Sequence, residues 1–323
     1  KNARIQQFNL TAEHQFRQNW EGRISYVGSV TVNLPYFEED INQPLAQVPT
    51  TPSHSHRPYQ PWGTISAVRS NGGAKENFHQ LQLETIRRYS NGMSFQAEYS
   101  WTRSLDNINN TGGAQRVAYP DLDYGNSTGI HTHTLVFNYL YALPFGHEKR
   151  WLNQSSAWAN TIVGGWQVSG ITTYATGTPF SVGFNVPSSY IGWTGGRANR
   201  ISGVPVYLSH SGHNVVNGIP YFNPAAFGPP QPWTWGTSGR NILWGPGLWN
   251  WDMSALKHVV LPWDRVTMTV RADFFNAFNH FNLANPNTTV ASPQYGGLAQ
   301  PLAGVITSGS GNRTIQLGTR VSF

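Results

Sequence analysis

MSFQAEYSWT, running from Met93 to Thr102, alternates along its whole length. Met93, Phe95, Ala97, Tyr99 and Trp101 take one side of an extended chain, and Ser94, Gln96, Glu98, Ser100 and Thr102 take the other. A 3.6-residue period would wind these two sets around a helix and mix them, so the stretch is a strand. Its ten residues are the length that crosses a bilayer when tilted. The stretch before it, FHQLQLETIRR at 78–88, alternates in the same way, and the link YSNG ends in Asn-Gly, a tight-hairpin signal. Together they predict an antiparallel hairpin with Leu81, Leu83, Phe95, Ala97 and Tyr99 facing outward and Glu84 and Glu98 facing inward.

Composition says what kind of sheet this is. Of 323 residues, 39% are hydrophobic and only 11% charged, against roughly 25% charged in ordinary soluble domains. Mean hydropathy is nonetheless −0.39, and no apolar run is long enough for a spanning helix. A transmembrane β-barrel reconciles the two facts, because alternate residues face lipid: hydropathy averages out while charge stays low. The chain has no Cys, which excludes disulfides and thiolate metal sites and suits an oxidising compartment. The net charge of +6 is scattered rather than gathered into a basic stripe, so nucleic acid is not an expected partner. KNARIQQFNL at the start lacks the apolar segment of a secretion signal.

The same alternation predicts about nine strands, near 4–16, 20–30, 78–88, 92–103, 132–143, 164–177, 247–259, 264–277 and 312–323. Short links at 17–19, 89–91, 144–163 and 260–263 alternate with long ones at 31–77, 104–131, 178–246 and 278–311, and a helical turn is expected around Ser155–Ile162. Short periplasmic turns and long extracellular loops are the asymmetry of outer-membrane barrels. It predicts a periplasmic C-terminus and a loop 178–246 that folds over the barrel mouth. It also puts residue 1 outside, whereas such barrels have even strand counts and begin in the periplasm. Further strands before Lys1, or partner chains, are therefore expected to complete the barrel. The last strand, RTIQLGTRVSF, keeps its alternation to the final Phe323.

Several segments, in order along nearly the whole chain, carry a family resemblance. They are SNGMSFQAEYSWTRSLD, YLYALPFGHEKRWL with GGWQVSGITTYATGTPFSV, YFNPAAFG, GPGLWNWDMSALKHV with RVTMTVRADFFNAFNHFNLANPN, and the terminal GNRTIQLGTRVSF. The chain resembles the C-terminal barrel part of TonB-dependent outer-membrane receptors of the Oar-like subtype, which carries a carboxypeptidase-regulatory-like domain. The resemblance implies an all-β fold: an antiparallel transmembrane barrel of about 22 strands around a plug, of which residues 1–323 supply the C-terminal segment. The plug and N-terminal domain are not in this chain. It implies as partners outer-membrane lipid, the remaining strands and plug, TonB acting through that plug, and the barrel assembly machinery, for which Phe323 is similar to the recognition signal. Phe323 reads equally as a lipid-facing girdle aromatic.

Strand charges are expected on the inward face: Glu13, Arg23, Glu84, Glu98, Asp252, Arg271, Asp273 and Arg320. An Arg or Lys at the bilayer midplane costs roughly 2–4 kcal/mol on the lipid face, so inward placement follows from lumen solvation whatever the function. Among aromatics, Trp249 and Trp251 share one strand face and match an interfacial girdle. Trp193, Trp233, Trp235 and Trp244 are the candidate ligand-stacking residues, with packing that orders the loop as the other reading of the same side chains. The pairs His54 and His56, His131 and His133, and His210 and His213 lack the further ligands a metal site needs. No nucleophile motif appears, so neither catalysis, a metal nor a cofactor is expected. The function read from this is outer-membrane transport, with a structural or adhesive surface protein as the alternative.

Overall fold

The computed structural model describes residues 2–38, 41–42, 57–107, 119–185, 196–208, 220–231, 234–260, 266–291 and 299–323. Nine long strands form one antiparallel sheet in strict chain order. They are β1 (Arg4–Arg17), β2 (Trp20–Glu38), β3 (Ala67–Ser90), β4 (Met93–Asp106), β5 (His133–Ala142), β6 (Trp166–Ala175), β7 (Leu248–Val260), β8 (Thr267–Phe275) and β9 (Thr314–Ser322). All nine expected strands are present. β2 and β3 run on to Glu38 and back to Ala67, well past the expected limits of 30 and 78, with register shifts at Thr31/Leu34 and Leu34/Tyr36. Two strands that leave the bilayer as a pair no longer need a lipid-facing side, so their alternation lapses while their hydrogen bonds continue.

The 78–103 hairpin forms as expected, with Leu83 opposite Tyr99, Glu84 opposite Glu98 and Leu81 opposite Trp101. Asn91 (φ 52°) and Gly92 (φ 80°) supply the two positive-φ positions of its turn. Because directly opposed residues point to the same side of a sheet, the pairings can be followed across it. Glu13 faces Arg23, Arg23 faces Glu84, and Glu84 faces Glu98. The same side continues through Val136, Thr173 and Asn250. Asp252 lies two residues beyond Asn250, Ser254 faces Asp273, and Thr269 faces Arg320. All eight charges named from the sequence therefore share one face.

The opposite face carries Leu10, Ile24, Leu83, Phe95, Tyr99, Leu135, Phe137, Val270, Leu317 and Val321. Leu10 is 75% exposed and Leu317 76%. In water such a face would be untenable; against lipid it is the surface the barrel presents. Burial is correspondingly inverted. Apart from Ala74 and Ala175, the buried hydrophobic residues lie outside the nine strands, in the long connections. One helix, α1 (Ala157–Val163), sits in the link between β5 and β6, where a helical turn was expected.

Candidate functional site: the lumen wall and its folded loops

The polar face of the sheet is a wall of charged and amide side chains, several of them paired. Arg23 donates to Glu13 at 3.2 Å and to Glu84 at 2.9 Å. Glu84 and Glu98, which would repel as direct neighbours, are bridged by Gln96, whose Nε2 donates to both, at 2.7 and 2.6 Å. Arg271 reaches Asp273 at 2.7 Å, and Asp273 also accepts the hydroxyl of Ser254. Asp252 accepts the backbone N–H of Asn276 at 2.7 Å, so it fixes the start of the β8–β9 connection. A cavity of about 600 Å³ lies along this wall, lined in part by Gln96, Asn138, Asp252, Ser254, Arg271 and Asp273. Such a surface is hydrophilic, with its neighbouring charges paired or hydrogen-bonded to one another, as suits a polar, water-exposed face.

At the other scale of the site, the connection between β6 and β7 folds on itself. Phe180, Val182, Ala198, Phe222, Ala226, Phe227 and Leu243 form a buried cluster, joined by Val290 from the β8–β9 connection. Short bridges hold it: Phe180 opposite Leu243, Arg200 opposite Phe227, and a parallel pairing of Phe184 with Val290. Tyr221 lies beside this cluster in sequence, and burial together with the neighbouring Tyr207 raises its phenol above the usual range.

Two buried ion pairs then fasten this loop core to the β4–β5 connection. Arg240 donates to the Asp106 carboxylate at 2.6 Å and to the carbonyls of Asp106 and Asp123. Arg197 pairs with the Asp123 carboxylate and donates to the carbonyls of Ser238, at 2.9 Å, and Leu122, at 2.7 Å. Side-chain exposure of the four residues runs from 1% to 11%. Beside them Asn241 and Asn126 exchange amide-to-carbonyl hydrogen bonds at 2.7 and 2.8 Å. Backbones approach closely here: a Cβ on Gly236 would lie 1.6 Å from the Arg197 carbonyl oxygen, so only glycine fits.

A family described as "Outer membrane beta barrel domain" matches residues 1–316. This chain belongs to the outer membrane beta barrel domain family. Among solved structures it is similar to the outer membrane transporter YddB from Escherichia coli, at 11% identity and a TM-score of 0.45. The match covers 99% of this chain and 32% of that one, so the chain spans about a third of the transporter's length. No curated protein sequence matches.

For an outer-membrane barrel domain, the apolar face is the lipid face, and several cations on it, Arg87, Arg103 and Lys257 among them, depart from the expected inward placement of strand charges. Arg87, Arg103 and Lys257 have the phase of Leu83, Tyr99 and Trp251. All three stand near strand ends, where a long side chain reaches past the hydrocarbon: Arg87 bonds the Ser90 carbonyl in the hairpin turn, and Lys257 bonds the carbonyls of Ile162 and Gly164. Trp249 and Trp251 share that face as expected. Trp249 stacks on Phe278 at 5.9 Å, and Trp251 donates to the Tyr139 hydroxyl at 3.1 Å.

Of the four candidate ligand-stacking tryptophans, Trp193 and Trp233 lie outside the described residues, as do His54, His56, His210 and His213. Trp235 is half-buried, and Trp244 is 39% exposed, lining a separate 290 Å³ cavity with Trp101, Arg103 and Pro179. Trp235 is not in that lining. His131 is engaged by the Thr176 carbonyl and His133 by the Tyr99 hydroxyl at 2.7 Å. Among the described residues no group of three potential metal ligands assembles. Phe323 keeps the lipid-face phase of Ile315 and Val321. The residues that the sequence did not single out are Asp106, Asp123, Arg197 and Arg240. Their one legible signal is charge inside Gly-, Pro- and Trp-rich connections of a chain with so little of it.

Proposed function

We propose that this chain is the C-terminal part of a TonB-dependent receptor of the Oar-like subtype, supplying barrel wall and ligand-capturing loops for transport across the outer membrane. What supports the reading is the combination of a polar, hydrogen-bonded wall with long connections that have a hydrophobic core of their own. A merely structural barrel needs the wall; a folded, cross-braced loop assembly at one rim is what a capture surface needs, since binding residues are best held on rigid supports. In this reading the long-loop end faces outward and the short-turn end faces the periplasm. The plug, the earlier strands and the TonB-contacting segment belong to the rest of the receptor, and Phe323 serves assembly. Trp244 and Trp235, with Trp193 and Trp233, are the candidate contacts for a ligand with flat apolar faces.

The purified periplasmic domain of TonB, titrated against the intact protein in detergent, is the test. A saturable complex is expected. Its absence would overturn the receptor reading in favour of a structural or adhesive barrel.

A further inference from the structure

Lys257 and Trp166 are direct cross-strand partners on the lipid-facing side of β7 and β6. Both are tied to the end of α1. The Trp166 indole N–H donates to the Ile162 carbonyl at 2.8 Å, and the Lys257 ammonium donates to the same carbonyl at 3.1 Å and to that of Gly164, with Trp166 beneath it at 5.3 Å. These are carbonyls that a helix C-terminus leaves unpaired, and a cation there is favourable. Because both anchors have the lipid-facing phase, α1 is docked on the outside of the barrel wall and not under the lumen. Gly165 (φ 71°) makes the close turn that allows this, with its carbonyl accepting from the His258 N–H at 2.9 Å.

The helix has two unlike faces. Asn160 is turned inward, its side-chain oxygen accepting the His147 N–H at 2.8 Å, and Val163 is half-buried beside it. On the other face Trp158 and Ile162, one turn apart, are 72% and 61% exposed. Trp151 and Leu152, in the same connection, are 50% and 55% exposed, and the exposed Lys149 and Arg150 precede them. An aromatic and aliphatic patch next to cations, continuous with the lipid face and at the end of the strands, has the composition of a bilayer interface anchor.

We propose that the β5–β6 connection is an interfacial foot: α1 lies in the headgroup boundary of the leaflet at the short-turn end, with Trp158 and Ile162 inserted and Lys149 and Arg150 toward phospholipid phosphates. The inference rests on the barrel family and on the phase of Lys257 and Trp166, and is independent of the transport reading.

Residues 1–323 contain no cysteine, so single labels can be placed within them once any cysteine elsewhere in the protein is replaced by serine. Trp158→Cys, Ile162→Cys and, as a reference in the β1–β2 turn, Gln18→Cys each carry one NBD fluorophore in the intact protein, folded into vesicles of phosphatidylethanolamine and phosphatidylglycerol. At 158 and 162 the emission is expected to shift to the blue and to lose intensity when a nitroxide-headgroup or shallow-nitroxide lipid is included, with weak quenching by aqueous iodide. At 18 iodide should quench more strongly than the lipid. Ala157→Cys and Thr161→Cys, on the same exposed face, give the reading again if the larger replacements impair folding. Iodide quenching at 158 and 162 equal to that at 18, without quenching by the nitroxide lipid, would overturn the proposal.

Discussion

Arg240 shows how much of the loop assembly rests on single side chains. It is 8% exposed and holds Asp106, at the end of β4, against a segment 134 residues away. Removing one partner of a buried pair leaves the other charge without compensation and costs about 3–5 kcal/mol, whereas replacing both with apolar residues is far milder. Arg240→Met is therefore expected to open the loops, read as faster limited proteolysis between β6 and β7, with the folded barrel band on unheated gels retained. Asp106→Leu in the same protein should recover much of the protection. A second contrast lies within β3, where Gln82 and Leu83 are adjacent and point to opposite faces. Leu83→Arg places a cation mid-strand on the lipid side and should cost about 2–4 kcal/mol in urea titrations of folding into vesicles, while Gln82→Arg, toward the lumen, should be near neutral.

At the scale of elements, the strands were legible and the loops were not, for a physical reason. A strand crossing lipid must alternate residue by residue, so Ile315, Leu317, Thr319 and Val321 announce β9 directly. The loop core obeys no period. Phe180, Phe222 and Leu243 meet because a particular chain path brings them together, and the Arg197–Asp123 pair joins residues 74 apart in sequence. Even Trp244, named as a candidate ligand-stacking residue, gives its backbone to a bridge with Pro179 that helps build this core. The outward-pointing Lys257 was missed for the same reason, since what makes its place acceptable is a helix end supplied by another segment. Gly236 tests whether the loop path is as tight as the packing indicates. With the Arg197 carbonyl in the way of any Cβ, Gly236→Val should expose the loops to protease as Arg240→Met does, again leaving the barrel folded. Cleavage unchanged from the parent protein would mean that the 236 segment does not pack against 197.

For the whole molecule, the decisive feature is the strand order, which runs from β1 to β9 without a crossover and has β1 and β9 at its two ends. β8 takes one edge of β9, pairing Ala272 with Leu317, and β2 takes one edge of β1, pairing Leu10 with Tyr26. Each remaining edge carries a row of N–H and C=O groups. In hydrocarbon every unsatisfied group costs several kcal/mol, which no side-chain packing over about ten residues can offset. Both edges therefore need strand partners in the membrane. Two closures are conceivable: β1 against β9, or each against strands of the larger receptor proposed above. A barrel of nine would be narrow, and its loop core, built from the β6–β7 and β8–β9 connections with ion pairs to β4–β5, would crowd one small mouth. A wide barrel leaves room for that assembly and for the cavity along the charged wall. Disulfide trapping in the intact protein, with any cysteine outside residues 1–323 replaced by serine, measures the choice. Ala272→Cys with Leu317→Cys should cross-link, since these are register partners. Leu10→Cys or Phe8→Cys combined with Leu317→Cys or Thr319→Cys should not. Efficient cross-linking of any β1–β9 pair would show that the nine strands close on themselves, and would remove the case for a larger receptor.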